Sequence, residues 1–216
     1  MFRFAVRRSI LSAILAGLLT GSAQAQLPTT RIFSVFPQGA QAGKAVDVTV
    51  TNGTDLDELD QMVFNHPGIK ATHKTGNTFA VTVDAGVPAG IYELRAHGLF
   101  GTSNPRSFVV GTLPEITEDN NNATMELAKP VEIGSIINGK SDGGADVDYY
   151  KVTAKKGQRL LLECASLRID GRLQGELSLY TAERKRLGRS IAKAARHDPL
   201  LDVTIPADGD YFIRVA

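Results

Sequence analysis

From residue 30 onward, apolar side chains recur at every second position in short runs, and each run is cut off by a turn-forming pair. Val46-Asp47-Val48-Thr49-Val50 alternates, as does Phe79-Ala80-Val81-Thr82-Val83. Ile91–Ala96 and Ser107–Val110 continue the pattern. A period of two places successive side chains on opposite faces, so each run reads as a half-buried β-strand rather than a helix. Asn52-Gly53, Pro67-Gly68, Gly76-Asn77 and Pro88-Ala89-Gly90 sit between the runs, where the chain must reverse. Roughly six or seven short strands in about 80 residues fit a small antiparallel sandwich of the immunoglobulin-like kind. With no Trp in the chain and one Cys, at position 164, it is not an antibody-type domain.

Residues 111–130 differ in character. Glu115, Glu118, Asp119 and Glu126 are opposed only by Lys129, and Asn120-Asn121-Asn122 lies among them. The segment reads as an acidic linker with one helical turn around Ala123–Leu127. Residues 131–216 return to β, with strands expected at Ile133–Ile137, Tyr149–Val152, Arg159–Ser166, Glu176–Tyr180, Leu200–Ile205 and Tyr211–Val215. The expected fold class is all-β: two tandem β-sandwich modules, 30–110 and 131–216, after a leader. Ala216 follows directly on the run that begins at Tyr211. A strand ending there without a blunting feature would leave an open edge, so the second module is expected to be truncated.

The leader is residues 1–25. Arg3, Arg7 and Arg8 precede the apolar stretch Ile10–Leu19, and Ala23-Gln24-Ala25 supplies small residues at the spacing of a signal peptidase site. That stretch is too short to cross a hydrocarbon core of about 30 Å as a helix. The Arg7-Arg8 pair leaves a twin-arginine route open beside the Sec route. The expectation is an exported protein: periplasmic, cell-surface or secreted. The whole chain carries 24 basic and 23 acidic side chains. Without the three leader arginines the balance becomes 21 against 23, a net charge of −2. A surface so near neutrality gives no electrostatic reason to seek nucleic acid, and no later segment is apolar enough for a membrane span.

Two motif matches fail on context. Gly134-Ser-Ile-Ile-Asn-Gly139-Lys140-Ser141 fits the phosphate-binding loop pattern, and Gly139-Lys-Ser141-Asp-Gly143 fits the nucleophile elbow. Both chemistries need a strand before the loop and a helix after it. Here Asp142-Gly143-Gly144 follows, and then another strand. His66, His73, His97 and His197 show no metal-ligand spacing. Cys164, alone, cannot form an internal disulfide and reads as a buried, inert thiol on a strand. Arg184, Lys185, Arg186, Arg189, Lys193 and Arg196 form a basic run without aromatics, which reads as a solvated hairpin loop followed by a short amphipathic turn, a patch for an anionic polysaccharide or the membrane surface being the alternative.

The carboxylates carry more. Asp55, Asp57, Glu58 and Asp60 lack the glycine and terminal glutamate of an EF-hand loop and read as a solvated turn. Glu118, Asn120 and Asn121, with Asp146 and Asp148, offer hard oxygen ligands from two segments. They would hold Ca²⁺ where the fold brings them together. Turn hydrogen bonds by Asp146 and Asp148 are the alternative.

Residues 115–216 resemble the bacterial pre-peptidase C-terminal domain family. The landmarks fall in order: Glu118-Asp119-Asn120-Asn121, Ala128, Gly134-Ser-Ile, Asp146-Val-Asp148-Tyr149-Tyr150-Lys-Val, Lys156-Gly157-Gln158, Leu177-Ser-Leu179-Tyr180, His197-Asp198-Pro199, and Pro206-Ala-Asp208-Gly209-Asp210-Tyr211. Asp119 stands where the family usually has proline, and the family's last strand or strands are absent. The resemblance implies a jelly-roll-like β-sandwich appended to exported enzymes, in some relatives binding collagen or polysaccharide. It also implies calcium through Glu118, Asn120, Asn121, Asp146 and Asp148. The N-terminal half is similar to the module that precedes this domain in large exported planctomycete proteins, through Phe36-Pro37-Gln-Gly39, Gly43, Thr54-Asp55-Leu56 and Phe64-Asn-His66-Pro67-Gly68.

The expected function is that of a non-catalytic binding or accessory protein, contacting extracellular protein or polysaccharide, or an attached exported enzyme, through sheet faces and loop tips. The alternative is the front part of a larger secreted hydrolase whose catalytic domain lies elsewhere.

Overall fold

The computed structural model describes residues 27–119, 121–141, 143, 146–192 and 197–216. The leader, Asn120, Lys193 and Arg196 therefore lie outside the described residues. Two separate clusters of buried side chains organise the rest, and no α-helix occurs among the described residues.

The first cluster is enclosed by strands β1 (Arg31–Phe36), β2 (Gly39–Gln41), β3 (Ala45–Thr54), β4 (Gln61–Phe64), β5 (Ile69–Thr75), β6 (Thr78–Val83), β7 (Gly90–Gly98), β8 (Gly101–Thr102) and β9 (Arg106–Gly111). One sheet runs β1-β3-β6-β5; the facing sheet runs β2-β9-β7-β4, with β8 pairing β7. These orders correspond to the two sheets of an immunoglobulin-like sandwich, the first strand divided between them. The division falls at the cis Phe36–Pro37 bond, after which β2 runs parallel to β9. Alternation then fills the interior. Phe79, Val81 and Val83 of β6 meet Leu94 and Ala96 of β7 and Phe108 and Val110 of β9, all essentially inaccessible to water. Each of the Phe, Val and Leu side chains among them contributes about 1.5–3 kcal/mol by leaving water. Phe64 sets its ring edge-on to Phe108 at 5.1 Å between centroids. Gly39 of β2 is required by close approach, since a Cβ there would lie 2.6 Å from the Val109 carbonyl oxygen.

The second cluster is built from β10 (Glu115–Thr117), β11 (Lys129–Pro130), β12 (Ile136–Asn138), β13 (Asp148–Ala154), β14 (Arg159–Glu163), β15 (Glu176–Thr181), β16 (Arg186–Ile191), β17 (Leu200–Thr204) and β18 (Gly209–Val215). A five-stranded sheet runs β11-β13-β18-β15-β16, and β14-β17 and β10-β12 form two-stranded sheets. Tyr150, Val152, Leu160, Leu177, Leu179, Tyr211 and Ile213 fill the core between them.

The structure corrects four local expectations. The strand expected from Ile133 begins only at Ile136, because Gly134 takes φ +89° in a turn. The strand from Arg159 ends at Glu163. The basic run contains an edge strand, β16, which among the described residues pairs with β15 alone and whose arginines blunt the open side. The open edge inferred at Tyr211–Val215 does not exist: β18 is interior, paired with β13 on one side and β15 on the other.

The acidic segment 111–130, read as a linker, is stitched to the second core. β10 pairs in parallel with β12, and β11 with β13. Asn122 is buried, accepting from the Tyr149 amide at 2.8 Å and donating through Nδ2 to the Tyr149 carbonyl at 3.3 Å. The helical turn appears as a single 3-10 turn at Met125–Leu127.

Candidate functional site

The residues proposed from the sequence as calcium ligands are distributed as follows. Glu118 lies just past β10 with its carboxylate buried. One oxygen accepts from the Tyr150 hydroxyl and the other from the Lys140 amide. Burial, and then the neighbouring Glu118, push the Tyr150 phenol far above its ordinary range, so it remains a donor. Gly139 packs so tightly on this carboxylate that a Cβ would lie 2.7 Å from Oε2. The loop resembling a phosphate-binding motif thus receives the protein's own carboxylate, and β13 rather than a helix follows among the described residues. Asn121 is exposed beside Asp119, Asp146 lies in the loop before β13, and Asp148 opens β13 opposite Val215. Among the described residues, no three His, Cys, Asp or Glu side chains converge as a metal cluster.

The other single residues have local roles. His66 holds the Gly68 amide and packs edge-on against Tyr92. His73 and His97 bond the Gly76 carbonyl and the Thr102 hydroxyl. Asp55 and Glu58 adopt positive φ in the acidic turn, and Asp55 accepts from the Thr29 amide. Cys164 lies one residue beyond β14, and burial raises its thiol to about 11. From the basic run, Arg184 pairs with Glu126 and Arg189 with Glu176.

A site that sequence reasoning missed lies where the β2-β9-β7-β4 sheet meets the second half of the chain. Alternation turns Leu94 and Ala96 inward, and so turns Ile91, Glu93 and Arg95 outward. Register sets Glu93 opposite Ser107 and Ile91 opposite Val109. Against this face lies the 3-10 turn Leu167–Ile169, capped by Asp170 in the left-handed conformation. Asp170 Oδ2 accepts from the Ser107 amide at 2.9 Å and hydroxyl at 2.6 Å, and its carbonyl accepts from Arg106 Nη2 at 2.5 Å. Gln38 Nε2 bridges the same junction, donating to the carbonyls of Ser107 and Ile169.

Between these elements opens a crevice of about 400 Å³, lined by Asn65, Ile91, Tyr92, Glu93, Pro105, Arg106, Ser107 and Asp170. Asn65 Oδ1 accepts from the Glu93 amide at 2.9 Å, and Arg95 grips one oxygen of Glu93. Ile91, about half exposed, supplies apolar surface, while the side chain of Tyr92 packs against the first core. Both carboxylates are held as hydrogen-bond acceptors, an arrangement suited to holding a polar ligand. No spacing rule joins positions 65, 93, 106 and 170; only strand register and the docking of the turn do.

No family model and no curated protein matches the sequence. Among solved structures the chain is similar to the SGBP-B protein of the Bacteroides ovatus mixed-linkage glucan utilization locus, in complex with a mixed-linkage heptasaccharide. The identity is 10% over 89% of this chain and 77% of that one, with a TM-score of 0.31. It is also similar to the Yersinia pseudotuberculosis adhesin InvE, at 13% identity over 88% and 51% and a TM-score of 0.27. A structure of carbohydrate-binding modules from the β-sandwich superfamily gives 11% identity over 88% and 96% and a TM-score of 0.28. At these values the likeness is one of β-rich construction.

Proposed function

We propose that this chain is an exported, non-catalytic binding or accessory protein that contacts polysaccharide through the outward face of its first sandwich. The observation that carries the reading is the crevice beside β7 and β9, where hydrogen-bonding side chains adjoin the exposed Ile91 on an open sheet face. The leader-like residues 1–25 and the resemblance of residues 115–216 to the pre-peptidase C-terminal family support export and an accessory role. Retardation of the purified protein in native gels containing soluble polysaccharides, without release of reducing sugar, is the expected result. Unretarded migration through every polysaccharide, or turnover of one, removes the reading.

A calcium site through Glu118, Asn120, Asn121, Asp146 and Asp148 is a separate proposal, and it requires the ion to displace the Tyr150 and Lys140 donors that engage Glu118. A ligand that binds only the folded state raises its stability by mass action. A higher Tm in millimolar calcium than in chelator supports the set, and an unchanged Tm removes it.

A further inference from the structure

The crevice is bounded on one side by residues of the first sandwich and on the other by a single turn from the second half. We infer that it is a bipartite site for a neutral, hydroxyl-rich glycan chain, completed by Asp170; the inference rests on the polysaccharide reading above.

The fold leaves several polar atoms around the crevice unused. Asp170 places Oδ2 on Ser107, and its Oδ1 has no hydrogen bond among the described residues. Glu93 gives Oε1 to Arg95, and its Oε2 is likewise unengaged. On the donor side, Asn65 uses only its oxygen and Arg106 donates through Nη2, which leaves Asn65 Nδ2 and Arg106 Nη1 as donors. The lining therefore presents spare donors and spare acceptors together. A sugar hydroxyl donates one hydrogen bond and accepts two, so neighbouring hydroxyls match such a mixed set, whereas an anion or a cation matches only half of it.

Charge points the same way. Glu93 and Asp170 are balanced locally by Arg95 and Arg106, so the junction offers no net field to select a charged polymer. Ile91, with Pro105 beside it, provides the apolar patch on which the C–H face of a pyranose ring would rest.

Completion by Asp170 follows from geometry. Arg106 and Ser107 are oriented by bonds to Asp170, which is itself exposed and contributes nothing to the buried core of either half. Removing its side chain takes away one wall of the crevice while leaving both cores intact.

The test compares the purified protein with its Asp170→Ala and Ile91→Asp variants, and with Asp47→Asn as a control far from the crevice on β3. Gel retardation is measured with a neutral β-glucan, a galactomannan and starch, and with acidic polygalacturonate. Thermal melts confirm that every variant is folded. The expected result is retardation by at least one neutral polymer and not by polygalacturonate, weakened tenfold or more by D170A and by I91D, and unchanged by D47N. Equal binding by wild type and D170A overturns the bipartite site while leaving the polysaccharide reading standing. Preference for polygalacturonate overturns the neutral class. Absence of binding by the wild-type protein overturns both.

Discussion

Tyr211 donates its hydroxyl to the carbonyl of Ala207, four residues earlier and 2.7 Å away. Tyr92 does the same to Pro88 at 2.8 Å in the first sandwich. Each tyrosine is the third residue of an interior strand that follows a Pro-Ala turn, the corner arrangement known from immunoglobulin-like folds. Replacing either by phenylalanine keeps the ring and removes one hydrogen bond. A loss of about 1 kcal/mol is expected for each, read as a lower urea midpoint with unchanged slope. Because the two corners belong to separate clusters, the double variant should show the sum. Coupling between them beyond experimental error would contradict the independence of the two cores.

The Glu118 carboxylate gathers a phenol and a backbone amide in a site closed by Gly139. Glu118→Ala leaves the buried Tyr150 hydroxyl without an acceptor and frees the Lys140 amide, and a loss of about 1–3 kcal/mol is expected. Glu118→Gln retains an acceptor and should cost less. Gly139→Ala should destabilise for a different reason, the collision of its methyl with the carboxylate. Chemical denaturation of the three variants checks the order; an inconsequential Glu118→Ala would remove the structural role.

Glu115 on β10 predicts a pH dependence. Burial raises its carboxyl pKa above the ordinary value, and the hydrogen bond from Asn138 Nδ2 at 2.8 Å offsets only part of that. The fold therefore favours the protonated form. Its contribution to stability grows as pH falls through the folded-state pKa and stops growing below the unfolded one. Glu115→Gln should raise Tm at pH 7, and the gap should close toward pH 4. A gap that widens on acidification would contradict the burial argument.

Cys164 should be slow to react. With burial lifting its pKa to about 11, the nearby charges of Asp198 and Glu163 adding to the shift, only about one thiol in a thousand is ionised at pH 8. Labelling by a disulfide reagent should run more than tenfold slower in the folded protein than in denaturant. Equal rates would show that the thiol is not covered.

The strands that sequence disclosed are those with one buried and one solvated face. Val46–Val50, Phe79–Val83 and Ile91–Ala96 alternate because the core takes every second side chain. Edge strands carry no such signal. In β5, Ile69 is the only buried residue of Ile69–Thr75, and β16 has none, so polar and basic residues hide strands held by backbone pairing. The crevice was illegible for a related reason. Glu93 and Arg106 read as ordinary surface charges until register aligns β7 with β9, and Asp170 joins them across more than sixty residues. Glu118 was picked out as an oxygen donor, but sequence gave no sign that Tyr150 and Lys140 would occupy both its oxygens.

The interior position of β18 bears on the order in which the second half can assemble. A ribosome delivers the first cluster's strands complete by Gly111, whereas β13 and β15 emerge long before the strand that separates them. Until residues 209–215 arrive, those two ribbons have no direct partner in each other, since their final places lie two strand spacings apart, about 10 Å. The early sandwich can close as it is made; the later sheet is finished by a keystone.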